Sequence, residues 1–205
     1  MKSLTLLGLS SLVLAGAATA FAQGAPAAPA ATGSAPMVEL KVGDKAPNFK
    51  LQGTDGKTHN LSDYAGKKAV VVAWFPAAFT QGCTIECKSL AEHGDLIKKY
   101  QVQYFMASVD PIEKNTEFAN AKSVMLNGQE VQKEAADFPL LSDPTKEVAT
   151  AYGVLNARGT ANRWTFYIGK DGRILAIDKT VKPATSAEDL AAKLGELNIA
   201  KATSN

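Results

Sequence analysis

Residues 69–75 (AVVVAWF) form an apolar, β-branched run with no polar alternation. A strand of that kind is covered on both faces, so it belongs at the centre of a sheet with layers packed above and below it. Residues 102–109 (VQYFMASV) read the same way. Between them Ile85, Leu90 and Ile97 recur among charged residues at helical spacing, which predicts one helix over residues 84–100. Strand, helix and strand in that order require a right-handed crossover and a parallel central pair. The expected class is therefore α/β, with a central mixed sheet flanked by helices.

Other elements follow from turn chemistry. Residues 49–51 and 58–61 flank Thr54-Asp55-Gly56-Lys57, an Asp-Gly signal for an N-terminal β-hairpin. Residues 163–168 and 173–177 flank Gly169-Lys170-Asp171-Gly172 and predict a late hairpin. Helices are expected over 113–125, 145–152 and 186–197, each opening near Asp, Ser or Pro, the second of them closing before Gly153. The polar stretch 122–137 either lengthens the first of these helices or forms a surface loop.

The N-terminus reads as an export signal: Lys2, a Leu-rich stretch, then Ala20-Phe21-Ala22, the small-x-small pattern of a cleavage site. Ser10, Ser11 and Gly16 leave the run short of the roughly 20 strongly apolar residues a stable span wants, so no membrane insertion is expected after cleavage. The expected organisation is a signal peptide over 1–22, an Ala/Pro-rich flexible spacer over 23–37, one domain over 38–199 and a frayed tail over 200–205. The protein is then exported, periplasmic or secreted. A net charge of +2 with no basic run and 7% aromatic residues gives no footprint for nucleic acid. Two cysteines are too few for a disulfide scaffold or, without other ligands, for a zinc site. No cofactor and no metal is expected.

The chemistry converges on residues 76–87 (PAAFTQGCTIEC), which follow the apolar strand and open the helix. A cysteine in the first helical turn sits among unpaired N–H groups at the positive end of the helix dipole, which favours its thiolate. Gly82 lets the backbone approach a ligand closely, and Thr80 can aim a hydroxyl at the same small volume. Bland readings stand beside these: Cys83 as an inert buried thiol, Thr80 as a helix cap, Glu86 as an ordinary first-turn acid and Arg163 as a surface strand residue.

Pro76, Thr80 and Cys83 fit P-x3-T-x2-C, the signature of the peroxiredoxins, which this chain resembles from about residue 40 to 197. The likeness extends to residues 42–49 (VGDKAPNF), 138–143 (FPLLSD) and 163–168 (RWTFYI). It is nearest to the Q-type, or bacterioferritin-comigratory, subgroup. The resemblance implies a thioredoxin-like fold and thiol-dependent reduction of hydrogen peroxide or organic hydroperoxides. Cys83 would be the peroxidatic cysteine, with Thr80 hydrogen bonding thiolate and peroxide, Pro76 shielding the pocket and Arg163 stabilising developing charge. Glu86 would hold the arginine in place. A thioredoxin-like protein or a small thiol would return the electrons, and the protein would act as a monomer or dimer.

Many Q-type members carry a resolving cysteine five residues after the first, whereas Cys87 here lies four after Cys83. That puts it on the same helix face, yet Cβ atoms so spaced lie about 5–6 Å apart and a disulfide wants about 3.5–4.5 Å. Cys87 is expected to resolve the Cys83 sulfenic acid as an intramolecular disulfide, with local unwinding of the first turn. The alternatives are a buried, non-reacting Cys87 or direct attack by an external thiol. Two rivals keep the cysteine pair: an exported Sco-like copper protein, for which the early His59 and His93 are poorly placed, and a thiol-disulfide oxidoreductase.

Overall fold

The computed structural model describes residues 39–203, so the expected signal peptide, the spacer and the last two residues lie outside the described residues. Two strands at the start, β1 (Lys50–Gly53) and β2 (Thr58–Asn60), form the Asp-Gly hairpin. The apolar runs become β3 (Ala69–Trp74) and β4 (Val102–Ser108), paired in parallel with Ala69 opposite Val102 and Trp74 opposite Ala107. A short strand β7 (Leu140–Ser142) joins β4 in parallel, and the late hairpin β8 (Thr165–Ile168) and β9 (Ile174–Asp178) packs antiparallel on the other side of β3. The resulting seven-stranded mixed sheet has the order β2-β1-β7-β4-β3-β8-β9.

Strand β3 explains why its sequence does not alternate. Val71, Ala73 and Phe75 pack into a core on one face, and Val70, Val72 and Trp74 into a core on the other. The first core lies under α1 (Gln81–Glu92), α2 (Asp95–Lys98), α3 (Ile112–Asn120) and α5 (Ser186–Glu196), and the second holds α4 (Glu147–Ala151) and the N-terminal segment around Phe49.

Three expectations need correction. The single helix over 84–100 starts earlier, at Gln81, and breaks at His93-Gly94 into α1 and α2. A Cβ at Gly94 would stand 2.7 Å from the Leu90 carbonyl oxygen and 2.8 Å from the Tyr104 hydroxyl, so the chain passes too close there for any side chain. The helix expected over 113–125 stops at Asn120, and residues 122–137 do not extend it; irregular chain is confined mainly to 133–137. Residues 122–137 hold a second, two-stranded sheet, β5 (Ser123–Leu126) and β6 (Gln129–Gln132), closed by Asn127 and Gly128 at φ 51° and 79°. Positive φ at both central residues suits an Asn-Gly hairpin turn. Residues 200–202, assigned to the tail, are held: Gln101 N–H donates to Ala200 at 2.7 Å and Ala202 N–H to Lys99 at 2.8 Å.

Candidate active site

The site forms at the carboxyl ends of β3 and β4, where the parallel pair leaves a crevice and where ligands collect in open α/β sheets. After β3 the chain makes a tight loop through residues 76–80. Ala78 N–H donates to the Asp110 carboxylate at 2.7 Å, and Asp110 lies just past the end of β4. Phe79 takes the left-handed conformation at φ 65°, rare for a bulky side chain, and its ring meets Phe118 of α3 edge-on at 5.2 Å. The loop is thus held by a carboxylate on one side and an aromatic contact on the other. Helix α1 follows with Thr80 as its N-cap residue.

Cys83 lies in the first turn of α1 and is 0% exposed. Arg163 reaches it from across the sheet. Because β8 runs antiparallel to β3 and Trp74 N–H donates to the Trp164 carbonyl, Arg163 stands level with the end of β3. Its Nη2 donates to Cys83 Sγ at 3.1 Å, while Nη1 pairs with Oε2 of Glu86. Glu86 is also 0% exposed, and its Oε1 has no hydrogen-bond partner among the described residues. Burial raises the Glu86 carboxyl to about 7 against the pull of Arg163. Burial also works against the charge of Arg163, but Glu86 and Cys83 outweigh it and hold its pKa above the ordinary value.

The structure therefore brings Cys83, Glu86 and Arg163 together in hydrogen-bonded sequence. Pro76 is half-buried in the loop. Thr80 is placed differently from the expectation: its hydroxyl donates to the Ala77 carbonyl at 2.9 Å, makes no cap bond and no hydrogen bond to Cys83. A β-turn-like loop offers that carbonyl first, and the exposed hydroxyl takes it. Cys87 lies one turn on, a free thiol buried like Cys83. Desolvation pushes its pKa up to about 11. Sequence reasoning missed Asp110, although its place directly after a central strand marks it as facing this crevice.

Neither histidine joins the thiols. His59 spends Nδ1 on Tyr64 at 2.9 Å and Nε2 on Asp55 at 3.0 Å in the hairpin at the sheet edge, and His93 faces Glu188.

Two expected results follow from this packing. A Cβ at Gly82 would lie 3.0 Å from Arg163 Nη2, so Gly82→Ala must displace a guanidinium held at both ends. Its rate constant with peroxide, read by competition kinetics, is expected to fall about tenfold, while its melting temperature holds or rises because Ala is the better helix former by about 1 kcal/mol. The second concerns Glu86. Its folded pKa of about 7 exceeds the 4.5 of an ordinary glutamate, so between those values the folded protein binds the extra proton and stability falls as pH rises. Urea midpoints at pH 5 and pH 8 should show wild type losing ground to Glu86→Gln toward pH 8; a gain would mean that Arg163 dominates the carboxyl.

A buried cysteine opening the helix after the central strand of a mixed sheet, with a guanidinium on its sulfur, defines a thiol enzyme of thioredoxin-like fold. The chain belongs to the AhpC/TSA family, whose profile matches residues 42–177. It is similar to peroxiredoxin Bcp of Escherichia coli (strain K12), with 34% identity over 145 residues covering 67% of this chain and 85% of that protein. Among solved structures it resembles peroxidoxin BcpB of Mycobacterium tuberculosis, with TM-score 0.65, 27% identity and coverage of 77% of this chain and 98% of that one. Thioredoxin peroxidase I of Plasmodium yoelii matches with TM-score 0.65 and 25% identity, over 77% of this chain and 90% of that one. Family and fold together disfavour the copper-binding alternative.

Proposed function

We propose that this chain is a thiol peroxidase in which Cys83 reduces hydrogen peroxide or an organic hydroperoxide and Cys87 resolves the product. The observation that carries the reading is the 3.1 Å hydrogen bond from Arg163 to Cys83 Sγ, braced behind by Glu86. The thiolate attacks the terminal peroxide oxygen, the S–O bond forms as O–O breaks, and water or alcohol leaves from a Cys83 sulfenic acid. Arg163 acts as a charge-assisted donor to the Cys83 sulfur and stabilises the negative charge spreading onto the departing oxygen. Pro76 shields the pocket, and Thr80 reaches the peroxide once its hydroxyl leaves Ala77.

Cys87 then condenses with the sulfenic acid, releasing water and forming an intramolecular disulfide. Helix α1 holds both sulfurs in successive turns, so its first turn unwinds for the bond to close. The reductant is a dithiol protein of thioredoxin type or a small thiol, in keeping with the name thioredoxin peroxidase carried by the Plasmodium relative. The chain works outside the cytoplasm after removal of residues 1–22, as a monomer or dimer.

Mixing reduced protein with one equivalent of hydrogen peroxide and following thiols and intact mass tests the reading. Rapid loss of both thiols and of two hydrogens in mass is expected. Cys87→Ser should instead accumulate a protein one oxygen heavier, with Cys83 oxidised first and over-oxidised by excess peroxide. A Cys87→Ser chain that turns over like wild type would remove the resolving role.

A further inference from the structure

The segment after the β5–β6 hairpin carries a lysine in an unusual place. Lys133 is 4% exposed. Its ammonium donates to the carbonyls of Glu134 at 3.1 Å and Ala119 at 3.4 Å and lies 5.5 Å over the Phe118 ring. No carboxylate pairs with it among the described residues. Lysine is almost never buried unless paired, because desolvating an ammonium is costly. Here the ammonium is met by carbonyls and a ring face, with no counter-ion among the described residues.

Lys88, the residue after Cys87, donates from Nζ to the carbonyl of Gln132, the residue before Lys133, at 2.9 Å. That bond ties the α1 turn bearing Cys87 to the Lys133 segment. Phe118, on which the lysine rests, shares a core with Cys83 and Cys87 and also touches Phe79 of the active-site loop. Four titratable groups couple electrostatically to Cys87: Lys133 from the hairpin segment, Glu86 and Cys83 on α1, and Tyr104 from β4. Of these only Lys133 brings a positive charge that favours the thiolate; burial holds the Lys133 pKa below its ordinary value, and Cys87 works against that shift.

We propose that Lys133 is the counter-ion of the Cys87 thiolate during resolution, a positioning residue of the second half-reaction. This rests on the reading that Cys87 resolves Cys83. In that step the Cys87 S–H bond breaks and its electron pair forms the S–S bond. The S–O bond of Cys83 breaks, and its hydroxyl leaves with the electron pair of that S–O bond and takes up the Cys87 proton as water. Cys87 sulfur is oxidised by as much as Cys83 sulfur is reduced, so no outside oxidant enters. The negative charge passing through Cys87 sulfur is carried opposite Lys133.

Stopped-flow single turnovers separate the peroxide step, proportional to peroxide concentration, from resolution, which is independent of it. Lys133→Gln keeps hydrogen-bond donors for Glu134 and Ala119 and removes only the charge. It should leave the peroxide step within about twofold of wild type, slow resolution at pH 7 about tenfold or more, and move the midpoint of the resolution pH profile up by about one unit. Lys133→Arg, which keeps the charge, should restore both readouts. Resolution by Lys133→Gln at the wild-type rate with an unmoved profile, or equal slowing in Lys133→Arg, overturns the proposal. Should wild type give no disulfide at all, the resolving role of Cys87 falls and Lys133 with it; a normal disulfide with an indifferent Lys133→Gln removes Lys133 alone.

Discussion

A Cys83→Ser chain is expected to consume hydrogen peroxide no faster than buffer, a loss on the order of 10⁴-fold or more, while its fold survives. The first half follows from the nucleophile. A serine hydroxyl does not ionise at neutral pH, and no histidine stands by to take its proton, since His59 is engaged at the far hairpin and His93 faces Glu188. The second half follows from packing. Oxygen replaces sulfur with little change of shape, and Arg163 remains to donate to the new hydroxyl, so the buried polar atom keeps a partner. Peroxide consumption and circular dichroism melting, run side by side, check both. Turnover above about 1% of wild type would place the chemistry on another group.

Arg163→Met should cost about 10² to 10³ in the rate constant with peroxide, the range seen when a single donor to a developing oxyanion is removed. The guanidinium serves the thiolate and Glu86 with different nitrogens, so a point charge is a poor substitute; Arg163→Lys should recover less than half of the loss on a logarithmic scale. A second consequence separates this site from a surface ion pair. Glu86, fully buried, loses both interactions that hold its pKa down and takes up a proton more readily still. The folded variant then binds a proton over a wider range above the unfolded carboxyl value, so its stability drops more steeply than that of wild type from pH 5 to pH 8. Urea midpoints at the two pH values measure this. A pH-independent penalty would mean that Glu86 and Arg163 contribute packing and no charge coupling.

The central strands, both flanking hairpins and the thiol's position at a strand-to-helix junction were legible because each is written in local pattern. The run AVVVAWF shows two buried faces, and Asp-Gly and Gly-Lys-Asp-Gly show turns. The alignment of Arg163 with Cys83 came from likeness to a family, since nothing in residues 163–168 alone points to a partner 80 positions away. What escaped was of two kinds. One signal was present and overlooked: Asn127-Gly128 between SVML and QEVQ is a strong short-range hairpin pattern, masked by polar residues that suggested helix or loop. The other was tertiary. A Cβ at position 94 would meet the Tyr104 hydroxyl of strand β4, and the burial of Lys133 depends on α3, whose Ala119 carbonyl and Phe118 ring meet its ammonium. No local rule encodes those contacts.

The route of the chain through the sheet also sets when the protein becomes reactive. Strand β3 can pair with β4 soon after both have been synthesised, but its other edge stays bare until β8 arrives, and with β8 comes Arg163. A nascent or half-folded chain therefore carries its thiol with no guanidinium beside it. Parallel and long-range pairings of this sort are slow to form because loop closure must come before the contacts that reward it. On the proposed roles of Cys83 and Arg163, synthesis delivers the thiol first and the guanidinium 80 residues later, so reaction with peroxide awaits the pairing of β8 with β3.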